Sequence, residues 1–368
     1  MADPRITNLA NILVNYSIKV QPGETVAIRG NAAGMPLLVE VHRAVIKAGG
    51  LPIPIWREGI FEELLLKEGN SEQLKYFSDP YRIPYETADT FISVSADTNT
   101  RHLNGVGLSQ QKIRNEARRP IVDNYMQRSS RGQLRWVGTL FPTSAYAQDA
   151  DMSLDEFEDF VYGACFADQP DPISHWLELS VMQQKLVDFL AGKKEIVVKG
   201  PNVDLSLSID GRKFINSDGQ RNMPSGEIYT GPVESSVNGW IRYTYPAIHS
   251  GREVEGVELT FEDGKVIKAT AAKNEAYLLS VLDTDPGARY LGEFAIGTNS
   301  GIQRFTKSIL FDEKIGGTIH MAVGSSYPDT GGLNKSAVHW DMICEMRDGG
   351  QIFIDGELFY DSGKFLIL

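Results

Sequence analysis

The spacing of apolar residues changes rhythm once along this chain, after Gly192-Lys193-Lys194, and that change limits what each half can become. Upstream, Arg5–Val20 sets Ile6, Leu9, Ala10, Leu13 and Val14 at helical spacing. Gln21-Pro22-Gly23-Glu24 breaks that helix ahead of a strand at Thr25–Arg29. A helix over Met35–Ala48, the strand LPIPIW, a helix over Phe61–Tyr76 and a strand at Thr90–Ser95 follow. A helix over Gln110–Arg118, a strand at Leu134–Thr139 and helices over Leu154–Phe166 and Ile173–Leu190 complete the half. Such alternation predicts a doubly wound α/β domain with a largely parallel sheet.

Downstream of the change the strands are short and punctuated by turns: EIVVKG, DLSLSI, WIRYTY, VELTFEDGKVIKATA and a closing QIFIDGELFYDSGKFLI. Asp263-Gly264 between two alternating runs is a strong hairpin signal. One helix, Ala272–Leu282, interrupts the strands. The expected organisation is therefore an α/β domain over 1–190 and a β-rich domain over 191–368, and the length of 368 residues suits two domains.

Charge and cysteine usage narrow the function. A formal net charge of −12 argues against a nucleic-acid partner. The basic run from Arg114 to Arg119, with Arg128, Arg131 and Arg135 beyond it, lacks interleaved aromatics and reads as a solvated or domain-interface face. Cys165 and Cys344 form neither a disulfide framework nor a CxxC pair, and no apolar window is long enough to span a membrane. The expectation is a cytoplasmic protein without a membrane partner. Gly30-Asn31-Ala32-Ala33-Gly34 follows a strand and precedes a helix, but it is neither GxGxxG nor a P-loop.

The chemistry concentrates in ILFDEKIGGTIHMAVGSSYPDTGGLNKSAVHWDMI, Ile309–Ile343. If VHWDMICEM is a strand, His339 and Asp341 point to one face about 7 Å apart along it, so both can hold one cation. His320 lies in a second strand-like run entered through Gly316-Gly317. Upstream, Glu227 in RNMPSGEIYTGP and Glu293 in RYLGEFAIGTN are lone carboxylates among glycines. Taken singly, His320 reads equally as a core histidine, Asp341 as a structural cap, Tyr327 as a turn aromatic and each glutamate as surface. With Glu313 of the FDE run, four carboxylates and two imidazoles together exceed a three-ligand zinc site and suit two cations about 3.5–4 Å apart. The donor set favours Zn²⁺, Co²⁺ or Mn²⁺, with Mg²⁺ also accommodated.

These motifs, in this order, resemble the M29 family of metallo-aminopeptidases, of the thermophilic aminopeptidase type. The match is specific through the second half, while the first half shares only the general α/β layout. The resemblance implies a two-metal exopeptidase acting on peptides with a free N-terminus, and a homodimer whose N-terminal domain covers or restricts the site. Glu227 and Glu293 match the family's upstream carboxylate ligands, His320 the histidine of its FDE…H segment, and His339 and Asp341 its H-x-D pair. Tyr327 matches the active-site tyrosine, expected to donate to the oxyanion. Glu293 is expected to shuttle the proton or to bridge the metals. Glu313 matches a glutamate at or beside the metals, but seven positions separate it from His320, so direct ligation stays open. A dinuclear amidase or dipeptidase acting on another small amide, and a non-catalytic binding protein stabilised by its metals, are the alternative readings.

Overall fold

A computed structural model describes residues 3–368. The chain divides into two compact units: residues 1–174 with 219–224, and residues 175–218 with 225–368. The division falls inside the first turn of the helix Pro172–Leu190, earlier than the change of sequence rhythm. The reason is packing, because Leu186 and Leu190 of that helix are buried in the core of the β-rich unit. Composition marks where strands begin, whereas the unit is decided by which core a helix covers.

In the first unit, strands β1 (Thr25–Gly30), β2 (Leu51–Trp56), β3 (Thr90–Ser95) and β4 (Arg135–Leu140) pair in parallel in the order β2-β1-β3-β4. A two-residue strand, Asn222–Met223, adds to β4 from far along the chain. Pro52 and Pro54 fit β2 because it is an edge strand, where a missing N–H breaks no ladder. The helices lie between consecutive strands, as the alternation predicts. The expected helix over 61–76 is two, Gly59–Glu68 and Ser71–Lys75, parted where Asn70 forms a capping box with Gln73. The expected helix over 110–118 runs from Leu108 to Ser130, through Pro120.

That long helix explains the arginine run. The Arg114 guanidinium donates to the Leu74 and Tyr76 carbonyls, and Arg128 to those of Tyr85 and Ala88. These arginines cap helix ends within their own unit.

The β-rich unit holds two large sheets. One runs in the order Lys265–Thr270, Glu258–Glu262, Asn238–Arg242, Val203–Ser208, Glu195–Gly200, Gln351–Ile354, Glu357–Asp361, Lys364–Phe365. Its Asp263-Gly264 turn has positive φ at both residues, 48° and 83°, as a two-residue hairpin of this twist requires. The other sheet contains β5 (Glu227–Thr230), β6 (Leu291–Gly297), β7 (Thr318–Gly324) and β8 (His339–Glu345), antiparallel in the order β8-β7-β6-β5, with Ile215–Ser217 beyond β5. Every residue of β6 and β7 is buried. No helix among the described residues is long and apolar enough to cross a membrane.

Candidate metal centre

Strand register brings together five of the six donors. Phe294, Ile296, Ile319, Met321, Val323, Trp340, Met342 and Cys344 alternate into the hydrophobic core beneath the sheet. The intervening residues must face the other way. Glu293 pairs with Ala322 and Ala322 with Asp341, so the two carboxylates flank one small side chain across three strands. His320 pairs with Ala295, and Gly297 with Glu227, on the same face. Small residues at Ala295, Gly297 and Ala322 leave room for the donors.

One irregularity makes this possible. Leu291 pairs with Val323 and Glu293 with Ala322, a bulge that shifts the parity of β6. Without it, Leu291 and Glu293 would share a face; with it, Leu291 enters the core and Glu293 the site. Gly292 occupies the bulge because a Cβ there would stand 2.2 Å from the Ser325 carbonyl oxygen.

The donors converge. Ligand atoms lie within 4.8 Å of one another in three overlapping groups: Glu227, Glu293 and His320; Glu293, His339 and Asp341; Glu313, His320 and Asp341. His320 Nε2 is 3.2 Å from a Glu227 oxygen and 3.7 Å from Glu293, and His339 Nε2 is 3.3 Å from Glu293 and 3.6 Å from Asp341. His339 Nδ1 donates to the Ser325 carbonyl at 2.8 Å, which fixes the ring and aims Nε2 into the cluster. The Tyr327 hydroxyl is 3.4 Å from that Nε2, on a side chain 43% exposed.

Glu313 joins the cluster despite its spacing. It follows the helical turn Ile309–Asp312, and Gly316-Gly317 then leads into β7. Gly317 adopts φ 93°, and a Cβ there would meet the Arg347 side chain. The two glycines are how the chain turns from Glu313 into the strand.

The sequence reading missed Lys314. Its side chain is wholly buried, and its ammonium contacts Glu313 and lies 3.8 Å from Glu227. A lysine beside a glutamate reads as solvated surface, and nothing local in FDEKIGG marks it otherwise.

The electrostatics are those of charges crowded away from water. Burial pushes the Glu227 carboxyl up to about 7, against the pull of Lys314, and Asp341 up to about 6, against His339. Burial also acts to raise Glu293, but the adjacent imidazoles of His320 and His339 prevail and hold it at about 2. The imidazoles respond oppositely: burial lowers them, yet the carboxylates raise His320 to about 9 and His339 to about 10. Within the donor cluster, three buried atoms make no hydrogen bond: Glu227 Oε2, Asp341 Oδ1 and His320 Nδ1. Unsatisfied buried groups of this kind are costly, and divalent cations of the first transition row fit a carboxylate and imidazole set of this density.

Comparison with known proteins agrees. The sequence profile of the thermophilic metalloprotease family (M29) matches residues 2–365. The chain belongs to the M29 metalloprotease family. Aminopeptidase 2 of Geobacillus stearothermophilus is 27% identical over 96% of this M29 chain and 94% of its own length. Aminopeptidase T of Thermus thermophilus is 30% identical over 53% of this chain and 55% of its own. The structure of wild-type AmpT from Thermus thermophilus superposes with a TM-score of 0.86 at 20% identity, covering 98% of this chain and 99% of that one. That likeness establishes the fold, a parallel α/β unit with an antiparallel β-rich unit. Membership of a metalloprotease family supports the use of divalent metal by this M29 chain.

Proposed function

We propose that this chain is an aminopeptidase that removes N-terminal residues from peptides and holds two divalent cations, Zn²⁺, Co²⁺, Mn²⁺ or Mg²⁺. The observation that carries the reading is the convergence of Glu227, Glu293, Glu313, His320, His339 and Asp341, three of whose buried atoms make no hydrogen bond. Glu293, His320 and Asp341 each belong to two of the donor groups, and Glu293 lies beside both imidazoles, so it would be the ligand common to both cations. Bound metal supplies Lewis acidity and lowers the pKa of an attacking water. The protein's own groups do the rest. The Ser325 carbonyl holds the tautomer of His339. Burial and the nearby carboxylates of Glu293 and Asp341 push the Tyr327 phenol above its usual range, so its hydroxyl stays protonated and can donate to an oxyanion. Were Glu293 to ligate one cation only, its free oxygen would instead carry the proton to the leaving amine. The reading includes a cytoplasmic homodimer.

The test is hydrolysis of aminoacyl-p-nitroanilides by chelator-stripped protein, with each of the four cations added back, beside the same panel N-acetylated. Cleavage that metal restores and acetylation abolishes is expected. Equal cleavage of the acetylated panel would make the chain an amidase of another kind. No cleavage of either panel, with metal bound, would remove the peptidase reading.

A further inference from the structure

The α/β unit has a feature that peptide hydrolysis does not use. Its strand order, β2-β1-β3-β4, reverses direction between β1 and β3. Connections leave such a point on opposite sides and open a crevice at the carboxyl ends of the two strands. A cavity of about 180 Å³ lies there, lined among others by Arg29, Asn31, Arg57, Glu62, Asp97 and His102.

Its charges are unbalanced in a specific way. Arg29 pairs in register with Ile55 of β2 and Ser93 of β3, so the three share a face. Arg57 follows Ile55 by two, and its amide continues the ladder by donating to the Gly30 carbonyl at 2.8 Å. Both guanidiniums therefore rise on one side of the sheet. The Arg29 side chain donates only to hydroxyls, those of Ser93 and Tyr85, and neither arginine has a carboxylate partner among the described residues. The acidic residues in the lining are engaged elsewhere. Glu62 accepts from Arg114 at 3.1 Å, and Asp97 from the Tyr146 hydroxyl at 2.8 Å. His102 Nδ1 donates to the Asn99 carbonyl, which leaves Nε2 free beside Gly59 in the cavity wall.

Two guanidiniums without a carboxylate partner, lining one cavity in a chain of net charge −12, call for an anion. We propose that this crevice is a second binding site, separate from the metal centre, for a small oxyanion of the phosphate or carboxylate type held by Arg29 and Arg57. Cavities that enclose drug-sized ligands measure about 300–1,000 Å³. This one is smaller, so it suits inorganic phosphate or a short carboxylic acid and excludes a dinucleotide.

Thermal melting of the full chain at constant ionic strength, with chloride exchanged for phosphate or for succinate, tests the proposal and separates the two sources. A saturable stabilisation by at least one of them is expected, in chelator-treated and metal-loaded protein alike. Arg29→Gln and Arg57→Gln should each weaken it tenfold or more, while His339→Ala leaves it intact. Arg57 is exposed, so its variant remains informative should Arg29→Gln fail to fold. Absence of any saturable shift, an unchanged shift in Arg57→Gln, or loss of the shift in His339→Ala would each overturn the proposal.

Discussion

The ammonium of Lys314, fully enclosed by protein, lies 3.8 Å from a carboxylate oxygen of Glu227 and directly against Glu313. It is a fixed positive charge inside a cluster otherwise built of four carboxylates and two imidazoles. Replacing it removes a cation that, beside the protonated imidazoles, offsets those carboxylates.

Lys314→Met should therefore destabilise the chelator-treated protein by about 3–5 kcal/mol, the usual cost of leaving a buried charge without its partner. Added divalent cation should recover part of that loss by neutralising the same carboxylates. Urea denaturation with and without Zn²⁺ reads both effects. Wild-type stability in chelator would mean that the ammonium contributes nothing to the cluster.

His339→Ala should lose metal and turnover together. The ring is aimed by the Ser325 carbonyl and faces both Glu293 and Asp341, so no neighbouring side chain can take its place. Elemental analysis after dialysis, beside the anilide assay, gives the answer. Full metal content in the variant would exclude His339 as a ligand.

Tyr327→Phe should keep its metal and lower turnover by roughly 10²–10³, the typical effect of removing one oxyanion donor. The hydroxyl is 3.4 Å from His339 Nε2, close enough to the cluster to reach substrate bound there. Unchanged kcat in the variant would take this tyrosine out of the mechanism.

Gly292→Ala should weaken metal binding at least tenfold and cost about 1–3 kcal/mol of stability. Its Cβ would press on the Ser325 and Gly324 carbonyl oxygens, at 2.2 and 2.5 Å, and disturb the bulge that turns Glu293 toward the site. Equilibrium dialysis with Co²⁺ measures the change. Binding equal to wild type would show that the bulge tolerates a side chain.

Asp312 gives a pH signature. Its carboxyl accepts from the Thr306 amide and hydroxyl, but burial prevails and pushes it up to about 7 from an ordinary 3.8. The folded state thus keeps a proton that the unfolded chain releases first. Its contribution is fully present below about pH 4 and is lost as pH rises through about 7. Asp312→Asn, which retains the acceptor oxygen, should flatten that part of the stability profile. Identical slopes for the two proteins in urea titrations would mean that Asp312 ionises normally.

The sequence by itself determined the period of each half, the Asp263-Gly264 hairpin and the residue types that can bind metal. Those are local properties: hydrophobic alternation, φ preference and side-chain chemistry act over a few residues. His339 and Asp341 were readable as neighbours because two positions on a strand share a face. What only the tertiary structure decided is everything that depends on register between distant strands. Ala322 sits between Glu293 and Asp341 because β6, β7 and β8 pair at particular residues, and a single bulge at Gly292 sets on which side Glu293 emerges. Lys314 stayed hidden for the same reason. A lysine's sequence neighbours do not tell whether water or two carboxylates surround its ammonium, because burial is a property of the assembled sheet and the loops that cover it.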